Sequence, residues 1–353
     1  LRAPPPHAQL VLMDGDTLLP EGALERTCRM LAALPDVGAV TTDNRPLVRG
    51  APLTREWYRL RMAQRDQLMC SMSLSGRLLV LTGRFSAYRM EVAAAPGFAA
   101  AVEHDAIEHW RLGRIRLVTG DDKSTWFHAL LGGWRMLYLP DVQVWCAEEL
   151  LRGHWFAATT ALMRRWYGNM ARNNGRALAL GPRRVGWFAW ACLLDQRVSP
   201  WTTLAGPGVV AAAALSGVTG VLAAYALWVL ATRSLVALLL WSSNGRLQPA
   251  FPLLIYYGQL VGAVVKITAF FHPDRQGWNR QGVGAAAGGR RQRLLSNAYM
   301  AAAFGGFALL VVAVSGQFAP RPGHGAPAGL EAVLDRLARP EQHLRIVCGE
   351  PGA

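Results

Sequence analysis

Charge is what this chain has least of. Charged residues make up 17% of its 353 and hydrophobic ones 52%, against roughly 25% charged in an average soluble protein. The deficit is uneven: residues 1–200 carry ordinary charge, whereas 201–241 hold almost none. That excludes a uniformly soluble chain and reads as a soluble head followed by a membrane region. Carboxylates are scarcer than basic groups, 23 against 37, for a net charge of +14. Nucleic acid, anionic lipid headgroups and an acidic polymer all suit such a balance. The uncharged segments argue against nucleic acid, and arginines beside them have lipid contact and the positive-inside bias as their ordinary explanation. Five cysteines (Cys28, Cys70, Cys146, Cys192 and Cys348) form no CxxC pair and have no His partner at metal spacing. This disfavours a zinc site or a disulfide framework and favours reduced thiols. No signal-peptide pattern is read at the start of this sequence. The chain opens without Met in a Pro-rich stretch from Arg2 to His7, which reads as a truncated N-terminus.

Strand and helix patterns alternate over the first 152 residues. Gln9–Met13 is a short apolar run suited to a buried parallel strand, ending in Asp14-Gly15-Asp16. Pro20 and Glu21 open an amphipathic helix to about Ala33, Val37–Thr42 is a strand and Glu56–Leu74 a long helix. Leu78–Thr82 reads as a strand ending at Gly83, with Tyr88–Val92 continuing the sheet. Ile115–Val118 reads as a strand ending at Gly120-Asp121-Asp122, followed by a helix over Ser124–Leu131 and a strand around Met136–Leu139. The alternation implies an α/β domain with a largely parallel sheet. Ligands of such sheets sit at the carboxyl ends of strands, where both acidic clusters fall.

Residues 153–200 interleave Trp and Arg, as suits amphipathic helices in the headgroup layer; an ordinary surface helix is the alternative. The membrane region, 201–316, offers three spans, at about 202–219, 220–241 and 297–316, each near the ~20 residues a bilayer requires. Residues 250–271 are also long enough. Basic residues flank both ends, however, and Pro249, Pro252 and Lys266 interrupt it, so it reads as an interfacial or re-entrant helix. Residues 317–353 then form a tail, with a short amphipathic helix around Leu330–Leu337.

Three segments carry chemistry. Asp14 and Asp16 at a strand end could hold a divalent cation, Mg2+ or Mn2+, against a diphosphate, since these ions prefer hard oxygen ligands; many ordinary turns also contain a DxD. The adjacent carboxylates Asp121 and Asp122 would raise one another's proton affinity, which suits a general base; the alternative is that Asp122 caps a helix. Arg165 beside Trp166 suits a clamp in which the guanidinium meets a diphosphate and the indole face a sugar. An interfacial helix would explain that pair as well.

In the order DxD, GDD, xxxRW, membrane helices, the chain resembles the processive, inverting synthases of cellulose, hyaluronan and chitin. Within them it is most similar to the polymerase subunits of bacterial alginate synthases. The resemblance runs from Leu10 to about Gln281 and is carried by Leu12-Met13-Asp14-Gly15-Asp16, His109-Trp110-Arg111-Leu112-Gly113-Arg114 and Thr119-Gly120-Asp121-Asp122-Lys123-Ser124. Arg165-Trp166-Tyr167-Gly168-Asn169 and Asp195-Gln196-Arg197-Val198-Ser199 add to it. It implies a GT-A-type, Rossmann-like glycosyltransferase domain at 1–152, lacking its first nucleotide-binding unit, with its catalytic side in the cytoplasm and its helices in the bacterial inner membrane.

By this resemblance Asp14 and Asp16 would bind the donor diphosphate and its metal, Asp122 would be the base, Arg165 would meet the diphosphate, and Trp166 the acceptor. Thr82, Gly83 and Arg84 would line the acceptor site. Residues 272–289 would form a gating loop, with Gln276, Trp278 and Arg280 in its motif. Leu162 stands where the synthases have Gln, and Asn279 where they usually have Thr. GDP-mannuronate and growing polymannuronate would be donor and acceptor. A cyclic-di-GMP-binding co-polymerase and further export proteins would be partners, since this chain shows no RxxxR followed by DxSxxG. Other readings are a synthase using a UDP-sugar and a non-catalytic membrane scaffold. Independently, Arg233 lies mid-span, where an unpaired charge costs several kcal/mol; it faces either a channel, with Lys266 near the entrance, or a carboxylate partner.

Overall fold

The computed structural model describes residues 8–150, 153–218, 220–278, 283–285 and 289–316. A five-stranded mixed sheet organises the first part, in the order β1 (Gln9–Leu12), β4 (Ser86–Arg89), β3 (Val37–Arg49), β7 (Arg135–Glu149) and β2 (Thr17–Leu18). Helices α1 (Ala23–Ala33), α2 (Pro52–Leu74), α3 (Met90–Ala93), α4 (Phe98–Glu103) and α5 (Asp121–Leu131) are interleaved with these strands. Only β3 and β7 run parallel; β1–β4, β3–β4 and β2–β7 are antiparallel. The largely parallel sheet expected from the alternation is therefore corrected to a mixed one. β1 is a half-buried edge strand rather than a buried parallel one.

Two further strand assignments differ, each for a local reason. Leu78–Thr82 forms no strand, although Leu78, Leu79 and Leu81 are buried. Side chains of α5 take carbonyls that a ladder would use: Trp126 Nε1–H donates to Leu78 O at 2.7 Å and the Lys123 ammonium to Leu79 O. The segment before the second acidic cluster is β6 (Gly113–Arg116), which pairs only with β5 (Ala106–His109) in a separate hairpin. Ile115 alone in β6 is buried, too little apolar surface to enter the main sheet. Past β4 the chain turns into α3 instead of extending the strand to Val92. β7, by contrast, outruns its expected length, and its alternation of buried and open positions shows one face on the core.

Buried side chains form several clusters: Tyr88 and Trp126 with Met69, Leu81 and Met136, Phe85 with Val144 and Cys146, and Trp57 and Tyr58 with Met163, Tyr167, Leu240 and Leu254 of the later helices. Beyond the sheet come α6 (Trp155–Ala179), α7 (Pro182–Val185), α8 (Trp187–Leu215), α9 (Gly220–Asn244) and α10 (Phe251–Phe271). A small hairpin of β8 (Gln276–Trp278) and β9 (Val283–Ala285) precedes α11 (Arg290–Gly316). Helix α8 runs unbroken through Pro200 and Pro207, so the boundary read at residue 200 falls inside one helix. Among the described residues four helices are long and apolar enough to cross a membrane: Trp187–Leu215, Gly220–Ser242, Phe251–Phe271 and Arg290–Ser315. Of these, α10 stands apart, with 39% of its apolar window buried within the protein against 6% in each of the others. The tail from residue 317, including the helix expected at 330–337, lies outside the described residues, as does Arg280.

Candidate functional site

The first acidic cluster is set by backbone. Asp14 N–H donates to Gly83 O at 2.9 Å, so the turn after β1 docks onto the Thr82-Gly83-Arg84 loop. A Cβ on Gly83 would lie 3.4 Å from Asp14 Oδ1. Thr82 is buried, and its hydroxyl lies 3.0 Å from that of Thr41 and donates to Phe85 O at 3.3 Å. These bonds fix the loop from within, so Thr82 shapes the site rather than presenting its hydroxyl to it.

Arg84 is the residue whose placement differs most from expectation. Its guanidinium reaches Asp16 at 2.5 Å, Glu148 at 2.6 Å and Asp14 at 3.6 Å. Nothing in the local sequence points to Glu148, which arrives from the far end of β7 and is buried. Asp14 has its carboxyl pushed up, first by burial, against an opposing pull from Arg84; Asp16 and Asp121 add to the rise and Arg165 opposes it. The two acidic clusters and Arg165 are thus close enough to feel one another, as the sequence order suggested.

The second cluster opens α5. Gly120 precedes the helix at φ 93°, a left-handed conformation open mainly to glycine. Asp121 and Asp122 occupy the first helical turn, where the dipole favours anions. Asp122 is therefore not the cap, and the helix begins three residues before the expected Ser124. Asp121 is exposed, and Asp122 is half-buried, accepting from Lys123 N–H at 2.8 Å. Burial and then the Asp121 charge push the Asp122 carboxyl up to about 6, with Lys123 opposing. Lys123 is buried, its ammonium 4.7 Å from the Trp126 ring centroid, and desolvation pulls its proton affinity down.

Helix α6 ties the third segment to the second. Asn169 Oδ1 accepts from Thr119 Oγ1 at 2.7 Å and also from Arg172. Arg165 lies four residues before Asn169 and so shares its helix face, turned toward the Asp121 loop. Trp166 stacks on Trp57 with centroids 5.9 Å apart and planes 7° from parallel, and Arg61 lies 5.8 Å from its ring centroid. At least part of one Trp166 face is therefore already covered. Gln276 holds the start of β8 against the same region: its amide donates to Arg116 O at 2.8 Å and accepts from Val118 N–H at 3.2 Å. The expected gating segment is thereby tethered to the loop entering α5. Trp278 closes β8 in register with Val283.

In the membrane region, Lys266 lies 4.9 Å from the Tyr167 ring centroid and, with Arg197, lines a cavity of about 110 Å³ between α6, α8 and α10. Among the described residues Arg233 donates to its neighbour Thr232 at 3.4 Å and has no carboxylate paired with it. Among the described residues no group of three or more His, Cys, Asp or Glu forms a metal-binding cluster. Asp14 and Asp16 supply two hard oxygen donors, which fits an Mg2+ that completes its shell with substrate phosphates, once Arg84 releases Asp16. Behind the site, the Tyr138 hydroxyl lies 2.7 Å from Asp66 Oδ1 and 3.0 Å from Asp43 Oδ1. Sequence reading missed this pair, of which Asp43 is buried and Asp66 half-buried, because its two carboxylates come from different elements.

Residues 3–169 match the family described as "Glycosyltransferase like family 2". The chain is 44% identical over 278 residues to the glycosyltransferase alg8 of Pseudomonas syringae pv. tomato, covering 79% of this chain and 56% of that protein. It is likewise 44% identical over 280 residues to the glycosyltransferase alg8 of Azotobacter vinelandii, with the same coverage. The chain thus spans about half the length of the curated relatives it matches. The mixed sheet, both acidic clusters and Arg165 thus all lie in the segment, residues 3–169, that matches the family 2 glycosyltransferases.

Proposed function

We propose that the intact protein is a processive, inverting hexosyltransferase that polymerises mannuronate from GDP-mannuronate into alginate and passes the chain through the bacterial inner membrane. One observation carries the reading: Asp122, a carboxyl with raised proton affinity, stands beside two further aspartates and an arginine that suit a diphosphate. Asp122 as the anion takes the proton from the acceptor 4-hydroxyl. The acceptor oxygen then bonds to the anomeric carbon as the bond from that carbon to the donor phosphate breaks, and the electron pair leaves with GDP. Attack from the opposite face inverts the configuration. Arg165 stabilises the departing diphosphate, and Trp166 and the Thr82–Arg84 loop position the acceptor. Asp14 and Asp16 would hold the Mg2+ or Mn2+, which when bound neutralises diphosphate charge. Arg84 keeps the two aspartates from repelling each other until then.

In this reading the sheet domain faces the cytoplasm, α10 lies at the membrane interface, and Arg233 and Lys266 face the route of the anionic chain. A cyclic-di-GMP-binding co-polymerase and export proteins complete the system. The test is donor turnover by the full-length protein in native membranes, with GDP-mannuronate and UDP-sugars offered side by side and Asp122→Asn as control. GDP release with polymer, lost in the variant, is the expected result. Turnover of a UDP-sugar would keep the mechanism and overturn the donor; turnover of no donor in membranes that also hold the partner proteins would favour a scaffold.

A further inference from the structure

A second basic cavity lies where β3 and β7 meet the turn between α9 and α10. It measures about 590 Å³, and its lining includes Arg45, Arg55, Arg59 and Arg246, with Asp43 its only carboxylate. Two of the four arginines are already neutralised, Arg45 by Asp43 at 2.7 Å and Arg59 by Glu56 at 2.6 Å. Arg55 donates to Gly50 O at 3.3 Å, and among the described residues neither it nor Arg246 has a carboxylate within ion-pair distance. Both are exposed. The cavity therefore offers two free guanidiniums, a net positive lining and room for a group well beyond a single ion.

What surrounds it narrows the ligand. Trp145 and Phe251 complete the wall, and Trp145 stays 41% exposed. Trp241 and Leu247, near the end of α9 and in the turn after it, are 49% and 46% exposed, and Leu253 in the first turn of α10 is 70% exposed. An arginine cavity beside exposed aromatic and aliphatic side chains, between the ends of two membrane-capable helices, matches both halves of a phospholipid. Guanidinium forks bind phosphate in bidentate fashion, and basic pockets beside membrane helices take anionic headgroups. A soluble anion would account for the arginines and leave the apolar surround without a role.

We propose that this cavity is a binding site for the phosphate of an anionic phospholipid headgroup, with Arg55 and Arg246 as its principal contacts. The site rests on α9 and α10 lying in or on a bilayer and is independent of the sugar chemistry. The experiment uses the full-length protein in detergent, titrated with phosphatidylglycerol or phosphatidylcholine and read by native mass spectrometry of bound lipid. The Arg55→Gln/Arg246→Gln double variant is compared with Arg29→Gln, a change on exposed α1 surface. A separate arm adds inorganic phosphate as competitor. Each arginine near an anionic surface accounts for about a fivefold factor in affinity, so the double variant is expected to bind phosphatidylglycerol about thirtyfold more weakly. Phosphatidylcholine binding and the Arg29 variant should be unchanged, and Arg55→Lys/Arg246→Lys should recover part of the loss. Unaltered phosphatidylglycerol binding in the double variant would overturn the site. Displacement of the lipid by millimolar phosphate would overturn the lipid assignment in favour of a free anion. Failure of donor turnover would leave this result standing, because the readout is bound lipid.

Discussion

In Asp122→Asn a half-buried carboxyl becomes a neutral amide of nearly the same shape, and the structure gives the sign of two separate effects. Burial and Asp121 raise the folded carboxyl from 3.8 to about 6, so the folded state disfavours the anion relative to the unfolded chain. The opposing attraction of Lys123 is already contained in that value. Below about pH 4 both states hold the proton and the wild type and variant should be equally stable. As pH rises from about 4 to about 6 the wild type loses stability relative to the variant, and above that the gap is constant. A rise from 3.8 to about 6 corresponds to about 3 kcal/mol at most; solvent at the open side of Asp122 reduces this to about 1–2 kcal/mol. The variant is therefore expected to melt about 2–4 °C above the wild type at pH 8 and together with it near pH 4, while sugar transfer is lost. Melting curves of the full-length proteins in detergent at the two pH values test this, alongside wild-type turnover, which should fall as pH drops through about 6. A variant that melts below the wild type at pH 8 would refute the reasoning, since it would mean the Asp122 anion is stabilised by its surroundings.

Three other changes test separate parts of the structure. Arg84→Gln strands Glu148, which is buried, and leaves Asp14 and Asp16 facing each other; a loss of about 3 kcal/mol is expected in a denaturant titration at pH 7. Gly120→Ala forces a side chain into φ 93° and to 2.8 Å from Asn169 Cγ, so donor turnover should fall at least tenfold, with a stability loss of about 1–3 kcal/mol. In Arg233→Leu, secretion of polymer into sealed vesicles should fall more than donor hydrolysis; an equal loss of both would argue against a route past this side chain.

The local patterns that the sequence displays are the ones that survive into the fold. The helix over 56–74 was legible from length and periodicity and needed only Pro52 to extend its start. Asp14, Asp16, Asp121, Asp122 and Arg165 could be singled out because each sits in a short run whose residue types suit one chemistry. Leu78–Thr82 shows the limit. Its apolar character reads as a strand, and whether it forms one depended on Trp126 and Lys123, some forty residues away, taking its carbonyls. The strand read over Ile115–Val118 holds only at Ile115 and Arg116; the observed strand is Gly113–Arg116, and its partner is its own hairpin.

Composition and periodicity determined that a charged α/β head precedes apolar helices, because burial preference and the 3.6- and 2-residue periods are properties of a chain segment read by itself. The order of its motifs pointed to the family that residues 3–169 match. Strand direction, the meeting of Arg84 with Asp16 and Glu148, the covering of Trp166 by Trp57 and the arginine cavity beside α9 and α10 were decided only in three dimensions. Each joins residues separated by tens of positions or more. Such contacts are set by how the elements pack, and packing depends on all of them at once.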